Sequence, residues 1–172
     1  MIKRVEKRTS VVIDLLREQL LYDIENYAYV EGNVVEVPSA EDRAMVIDIA
    51  QEGNIDRVNR ILNLAYSELV EIMFPYTKER CEDEEIRNDI ITEPSEYTIR
   101  LSMPTMFSKT SVNLLANLCH EYMVCRVLSD WLNMTKHEAW QSWQLRLADI
   151  SMQIRARLNA RCGRIRRTQT PF

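Results

Sequence analysis

"NLCHEYMVCRVLSDWL" (Asn117–Leu132) sets a histidine, a glutamate and two cysteines close together in a stretch that is otherwise mostly apolar. Such a cluster is either a metal or catalytic centre or simply the side of a helix, and the choice decides the fold. A helix turns about 100° per residue, so Cys119 and Cys125 lie about 120° apart, with His120 about 100° from the first and about 140° from the second. Ligands on one helix converge only at i,i+3 or i,i+4 spacing, so these three do not meet on one ion. His120 instead shares a narrow polar strip with Asn113, Asn117 and Glu121. Leu114, Leu115, Leu118, Tyr122, Met123, Val127, Leu128 and Trp131 take nearly every other direction. A long helix that is apolar almost all round is the buried centre of a helical domain.

The rest of the chain fits that centre. Its 172 residues are enough for one domain with a real core. With 46% hydrophobic and 28% charged residues but only three glycines and five prolines, it has the composition of a folded, helix-rich protein. A net charge of −4 argues against a general polyanion binder. No apolar run makes a signal peptide or approaches the ~20 residues of a membrane span, so no membrane association is expected. Cys81, Cys119, Cys125 and Cys162 form no CxxC pair, which fits a reducing intracellular setting.

Periodicity supplies the other elements. Ser10 is expected to cap a first helix with Ile13, Leu16, Leu20, Ile24 and Tyr27 on one stripe. "YVEGNVVEVPS" reads as an extended link that turns at Gly32-Asn33. Ser39 and Asp42 resemble a capping box for a short second helix ended by Gly53. Asn54 would cap a third helix, in which Ile55, Val58, Leu62, Ala65, Leu69 and Ile72 form an unbroken stripe closed by Pro75. The central helix should run from about Ser108 to Leu132. A fifth should start at the capping box Thr135-x-x-Glu138 and end near Cys162 and Gly163.

Between the third and fourth helices the pattern changes. Residues 79–96 carry eight acids against two arginines, among them Glu82, Asp83, Glu84, Glu85 and Asp89. "EYTIRLSMP" then alternates Tyr97, Ile99, Leu101 and Met103 against Thr98, Arg100 and Ser102, which is a strand pattern. The expected fold is therefore mainly α: about five helices in a bundle, with an inserted β-hairpin or long acidic loop at about 77–104. Residues 1–162 form one domain, followed by a basic tail at 163–172. A loop this long inside a compact domain is usually functional.

Enzyme signatures are missing. His120 and His137 sit in no HExxH pattern, and neither a GxGxxG or GxxxxGK[ST] phosphate loop nor a GxSxG elbow occurs. Neither catalysis, nor a cofactor, nor a metal is expected. "DIAQEGNIDRVNRILN" (48–63) resembles the helix-turn-helix of bacterial repressors, offering Asp56, Arg57, Asn59 and Arg60 to DNA. Its valine follows Gly53 by five residues rather than six, and Asp56 opposes phosphate contacts. A helical hairpin with its stripe turned inward is the preferred reading.

Charge and the last helix point to association instead. Against the acidic stretch, residues 155–172 hold six arginines (Arg155, Arg157, Arg161, Arg164, Arg166 and Arg167) and no acid. Opposite charges on one chain suit head-to-tail contact between identical copies, which closes into rings when the rotation allows. Trp140, Trp143, Leu147, Ile150, Ile154 and Leu158 make the fifth helix's core stripe, while Leu145, Ala148, Met152 and Ala156 lie on the opposite side. With Arg146, Arg155 and Arg157 also present that helix cannot lie deep, so its second apolar side is read as a subunit contact.

A helical core, an inserted acidic and strand-forming loop, a long final helix and an arginine-rich tail, in this order, resemble the head–tail connector (adaptor, or ring) proteins of tailed bacteriophages, most of all those from phages of gut bacteria. The likeness is carried by "DIAQEGNIDRVNRILNLAYSELVEIMFPYTK" (48–78) and "VCRVLSDWLNMTKHEAWQSWQLRLADISMQIRARLNARCGRIRR" (124–167), under half the chain. It implies a non-catalytic ring, commonly of about twelve copies, beneath the portal in the virion neck. It further implies contacts with portal and other neck or tail proteins, and passage of double-stranded DNA without sequence-specific binding. The alternative from a different class is a DNA-binding protein, either repressor-like or a small terminase subunit.

Overall fold

The computed structural model describes residues 8–34, 39–78, 89 and 91–162. It is mainly α: five helices and a small two-stranded antiparallel sheet. The sequence order is β1 (Arg8–Leu16), α1 (Arg17–Val34), α2 (Ala40–Ile47), α3 (Ile55–Ile72), β2 (Glu96–Pro104), α4 (Thr110–Thr135) and α5 (His137–Leu158), with a 3-10 turn at Asp48–Ala50.

Helix α4 is the centre. It buries Leu115, Leu118, Cys119, Tyr122 to Cys125, Val127 to Ser129, Trp131 and Leu132, and α1, α2, α3, α5 and β1 all pack on it. Helix α3 turns Val58, Leu62, Ala65 and Leu69 inward, as its stripe requires.

The first element departs from expectation. Residues 8–16 form a strand, and α1 begins only at Arg17. Strand β1 pairs with β2 in the register Val12↔Arg100 and Leu15↔Tyr97, so Ile13 and Leu15 face the core with Tyr97, Ile99, Leu101 and Met103. Leu16, which the helical stripe would bury, is 47% exposed. The β-branched run Val11-Val12-Ile13 suits a half-buried pleated surface better than a helix turn. The strand of the inserted segment is thus where it was expected, and among the described residues its partner is the N-terminal segment.

Other local expectations shift for identifiable reasons. Gly32 and Asn33 are helical, not a turn. Gly32 is needed for packing, since a Cβ there would sit 2.8 Å from Cγ1 of Ile47. Ser39 does cap α2, accepting from the Asp42 amide. That helix ends at Ile47, well before Gly53. Asn54 precedes α3, but its side chain donates to the Asp48 carbonyl and caps nothing. Thr135 does not open α5. Its hydroxyl donates back to the Trp131 carbonyl at the end of α4, and Lys136 stands at the α5 N-cap without a side-chain bond. Helix α5 stops at Leu158 rather than near Cys162.

Candidate functional site

Helix α5 is fastened to the domain along one side. Trp143, Ile150, Ile154 and Leu158 are buried. The Trp143 indole donates to Glu31 of α1 at 3.0 Å and meets Tyr27 edge to face. Arg146 donates to Glu121 of α4 at 2.6 Å, with its guanidinium over the rings of Tyr27 and Trp143. Lys136 donates to the Glu31 carbonyl at 2.9 Å. The C-terminus is closed by Arg161, whose guanidinium donates to the carbonyls of Leu158 and Ala160 and to the Tyr76 hydroxyl. These groups satisfy carbonyls that a helix end leaves without partners.

The opposite side of α5 faces outward. Leu145 is 75% exposed and Met152 62%, with Ala148 and Ala156 exposed beside them. Arg155 and Arg157 are exposed, and among the described residues neither has an ion-pair partner. Of the residues assigned from sequence to a subunit or portal contact, Leu145, Met152, Arg155 and Arg157 therefore share one accessible helix. Arg161 is turned inward as a helix cap and is not free in this fold. Arg164, Arg166 and Arg167 lie outside the described residues, as do Glu82, Asp83, Glu84 and Glu85. Asp89 is exposed.

The base of the acidic segment is held by polar groups that sequence reasoning missed. Asn59, fully buried on α3, accepts from two nitrogens of Arg17 at 3.1 and 2.7 Å and donates to Glu93 at 2.6 Å. Asn63 donates to the Thr92 carbonyl and accepts from the Tyr97 hydroxyl. The Arg17 amide donates to the Ser95 carbonyl. Asn59 is thus the hub joining α1, α3 and the approach to β2. Arg17 and Glu93 also pair directly at 3.3 Å, so Asn59→Ala should cost about 1–2 kcal/mol, through loss of the buried amide's hydrogen bonds to both. It should also speed amide exchange at Thr92 to Tyr97 while sparing α4; unchanged exchange there would remove the anchoring role.

The same burial bears on DNA reading. Helix α3 does follow a short helix and a turn, but Asn59 faces the interior and Arg57 is paired with Asp130 of α4 at 2.7 Å. Asp56 and Arg60 of the presumed reading face are exposed, and among the described residues neither has an ion-pair partner.

The opening cluster separates in space. His120 Nε2 lies 2.7 Å from Asp23 Oδ2 of α1, while its neighbour Glu121 serves Arg146 of α5. The polar strip is therefore two inter-helix links. His120, Asp23, Asp14, Gln19, Tyr22 and Asn117 line an open depression of about 470 Å³. Cys119 and Cys125 are fully buried, and burial pushes both thiols up to about 12. Thiols so held are protonated at neutral pH, which suits packing and not nucleophilic or metal-binding work. Among the described residues, no three His, Cys, Asp or Glu side chains gather where they could hold a metal ion. No described helix is long and apolar enough to cross a membrane. Comparison with known protein families, with curated proteins and with solved structures finds no match.

Proposed function

We propose that this chain is a structural virion component, a head–tail connector that forms a ring under the portal, joins capsid to tail and lets DNA pass. The observation that carries the reading is the outer side of α5, where Leu145 and Met152 stand exposed on a helix fastened to α1 and α4 along its other side. A scaffold of this kind suits protein contact: a firm helix with an exposed apolar strip loses little freedom when covered. The charge pattern supports the same reading, since the acidic 79–96 stretch and the basic 155–172 end give each copy two unlike surfaces. An acidic segment facing the channel would keep exiting DNA from adhering to the wall by like-charge repulsion.

The test is attachment to the cognate portal, followed by electron microscopy. The full-length protein should decorate portal rings with a further annulus. Protein lacking residues 163–172 should keep its helical circular dichroism and fail to attach. Normal attachment by the truncated protein would remove the docking role of the tail, and absence of the polypeptide from the necks of purified particles would end the proposal.

A further inference from the structure

Strand β1 has an open edge. On the far side of β2 the Ser102 amide donates to the Tyr76 carbonyl, and the Thr98 carbonyl accepts from the Tyr66 hydroxyl. The even-numbered residues of β2 thus turn their backbone groups away from β1, and the ladder bonds join Val11, Ile13 and Leu15 to Leu101, Ile99 and Tyr97. Ser10, Val12 and Asp14 then point their own N–H and C=O groups outward, and among the described residues no backbone hydrogen bond takes them up. Such a row is a template for one more strand.

The edge overlooks a trough beside α4. At Thr9–Val11 lies an apolar hollow of about 440 Å³, walled by Met103, Phe107 and Val112. At Asp14–Leu16 lies the depression of about 470 Å³ that holds Tyr22, Asp23 and His120. The two are in line, because the first meets α4 at Val112 and Asn113 and the second at Ala116, Asn117 and His120. Their charge differs. Lys109 borders the first, whereas Asp14 and Asp23 border the second, with His120 bonded to Asp23. Arg8 and Arg100 border another depression, next to Tyr76 and Thr77, and Arg17 is turned inward to Asn59.

The described chain ends at the mouth of this trough. The Cys162 amide donates to the Met106 carbonyl at 2.8 Å, and Arg161 bridges to Phe107 on the wall of the apolar hollow. Residues 163–172 therefore set out from the Arg8 end of β1, where Pro104 is paired. Ten extended residues span about 33 Å, against about 23 Å from Thr9 to Leu16. Their order fits the order of the trough. Gly163 passes Lys109, Ile165 comes about 10 Å from Cys162 for the apolar hollow, and Arg166 and Arg167 come about 13–17 Å along for Asp14 and Asp23. Arginine beside the exposed Tyr22 ring adds a cation–π attraction. A segment on so short a tether has an effective concentration in the millimolar range, which favours a chain's own residues over those of a second copy.

We infer that residues 163–168 lie along β1 of their own chain as a third, parallel strand, with Ile165 in the apolar hollow and the arginines on Asp14 and Asp23. The segment closes an edge that would otherwise pair with other chains. This goes beyond the ring reading and does not depend on it.

Hydrogen exchange tests it, comparing the full chain with one ending at Cys162. The Val12 and Asp14 amides should exchange at least about tenfold more slowly in the full chain. Val11, Ile13 and Leu15, bonded to β2 in both, should be unchanged and report an intact sheet. A synthetic peptide of residues 163–172 should bind the shortened chain, and bind the full chain at least about tenfold more weakly. Val12→Pro, which removes an outward N–H and no ladder bond, and Asp14→Asn should each weaken that binding. Fast exchange at Val12 and Asp14 in both chains would mean an empty trough. Slow exchange in both would give the trough to another segment, and protection that grows with protein concentration would give it to a second copy. Each of these results overturns the inference, and with no portal in the experiment none bears on the ring.

Discussion

Trp131→Ala should lower the stability of the domain by about 4 kcal/mol, because truncating a buried tryptophan removes its transfer energy and leaves a cavity. Trp131 is 6% exposed on α4, and its indole donates to the Val46 carbonyl at 3.0 Å. Helix α2 has only eight residues, too few to persist alone in water. The Val46 carbonyl is one of those its last turn leaves without a partner, and the Trp131 indole supplies one. Trp131→Phe separates the two contributions: it keeps most of the ring, loses the donor and should cost about 1–2 kcal/mol. In thermal unfolding the alanine variant should melt roughly 8–16 °C lower, for a domain of this size. Equal small losses in both variants would mean that α2 is not pinned in this way.

Long, strongly periodic helices were legible in the sequence because their own side chains decide them. Val58, Leu62, Ala65 and Leu69 could only face inward together, and α4 had no side polar enough to meet water. Residues 8–16 were not legible. Ile13, Leu20 and Ile24 are all buried, and across a strand–helix junction their spacing imitates one helical stripe. What makes 8–16 a strand is pairing with Glu96–Pro104, 80 to 96 residues away in sequence, and a local period carries no trace of a distant partner.

The candidate surface divides in the same manner. Leu145 and Met152 were readable as an apolar side left over once Trp143, Ile150 and Ile154 had claimed the core. Arg161 was not, because its role as a cap depends on Tyr76 and Phe107 being brought to the end of α5 by the fold. Asn59 lies off the apolar stripe of α3, and a helix-turn-helix reading would have offered it to DNA. Only the arrival of Arg17 and Glu93 from other elements makes it a buried hub.

Alkaline pH should destabilise the domain steeply, starting at about pH 9. Burial raises the Cys119 and Cys125 thiols from the ordinary 9.0 to about 12. The Tyr97 and Tyr122 hydroxyls rise from 10.0 to about 12, chiefly through burial, with Glu93 adding to the first and Glu68 to the second. All four are neutral when protonated, so the unfolded chain releases these protons first. Their contribution is therefore complete below the unfolded values and lost as pH climbs toward 12. A buried thiol still protonated in the fold costs about 1.4 kcal/mol per pH unit once its unfolded counterpart has ionised. With the unfolded thiols half ionised at pH 9, the two should together remove about 2 kcal/mol between pH 9 and 10, before the tyrosines join and steepen the fall. Urea unfolding at quarter-unit steps of pH measures this slope directly. Cys119→Ala with Cys125→Ala lowers stability at neutral pH by leaving small cavities, but it should flatten the curve from pH 9 to 10 and move the onset up toward pH 10. A slope unchanged by that double substitution would show that ionisation of these two thiols is not what opens the core.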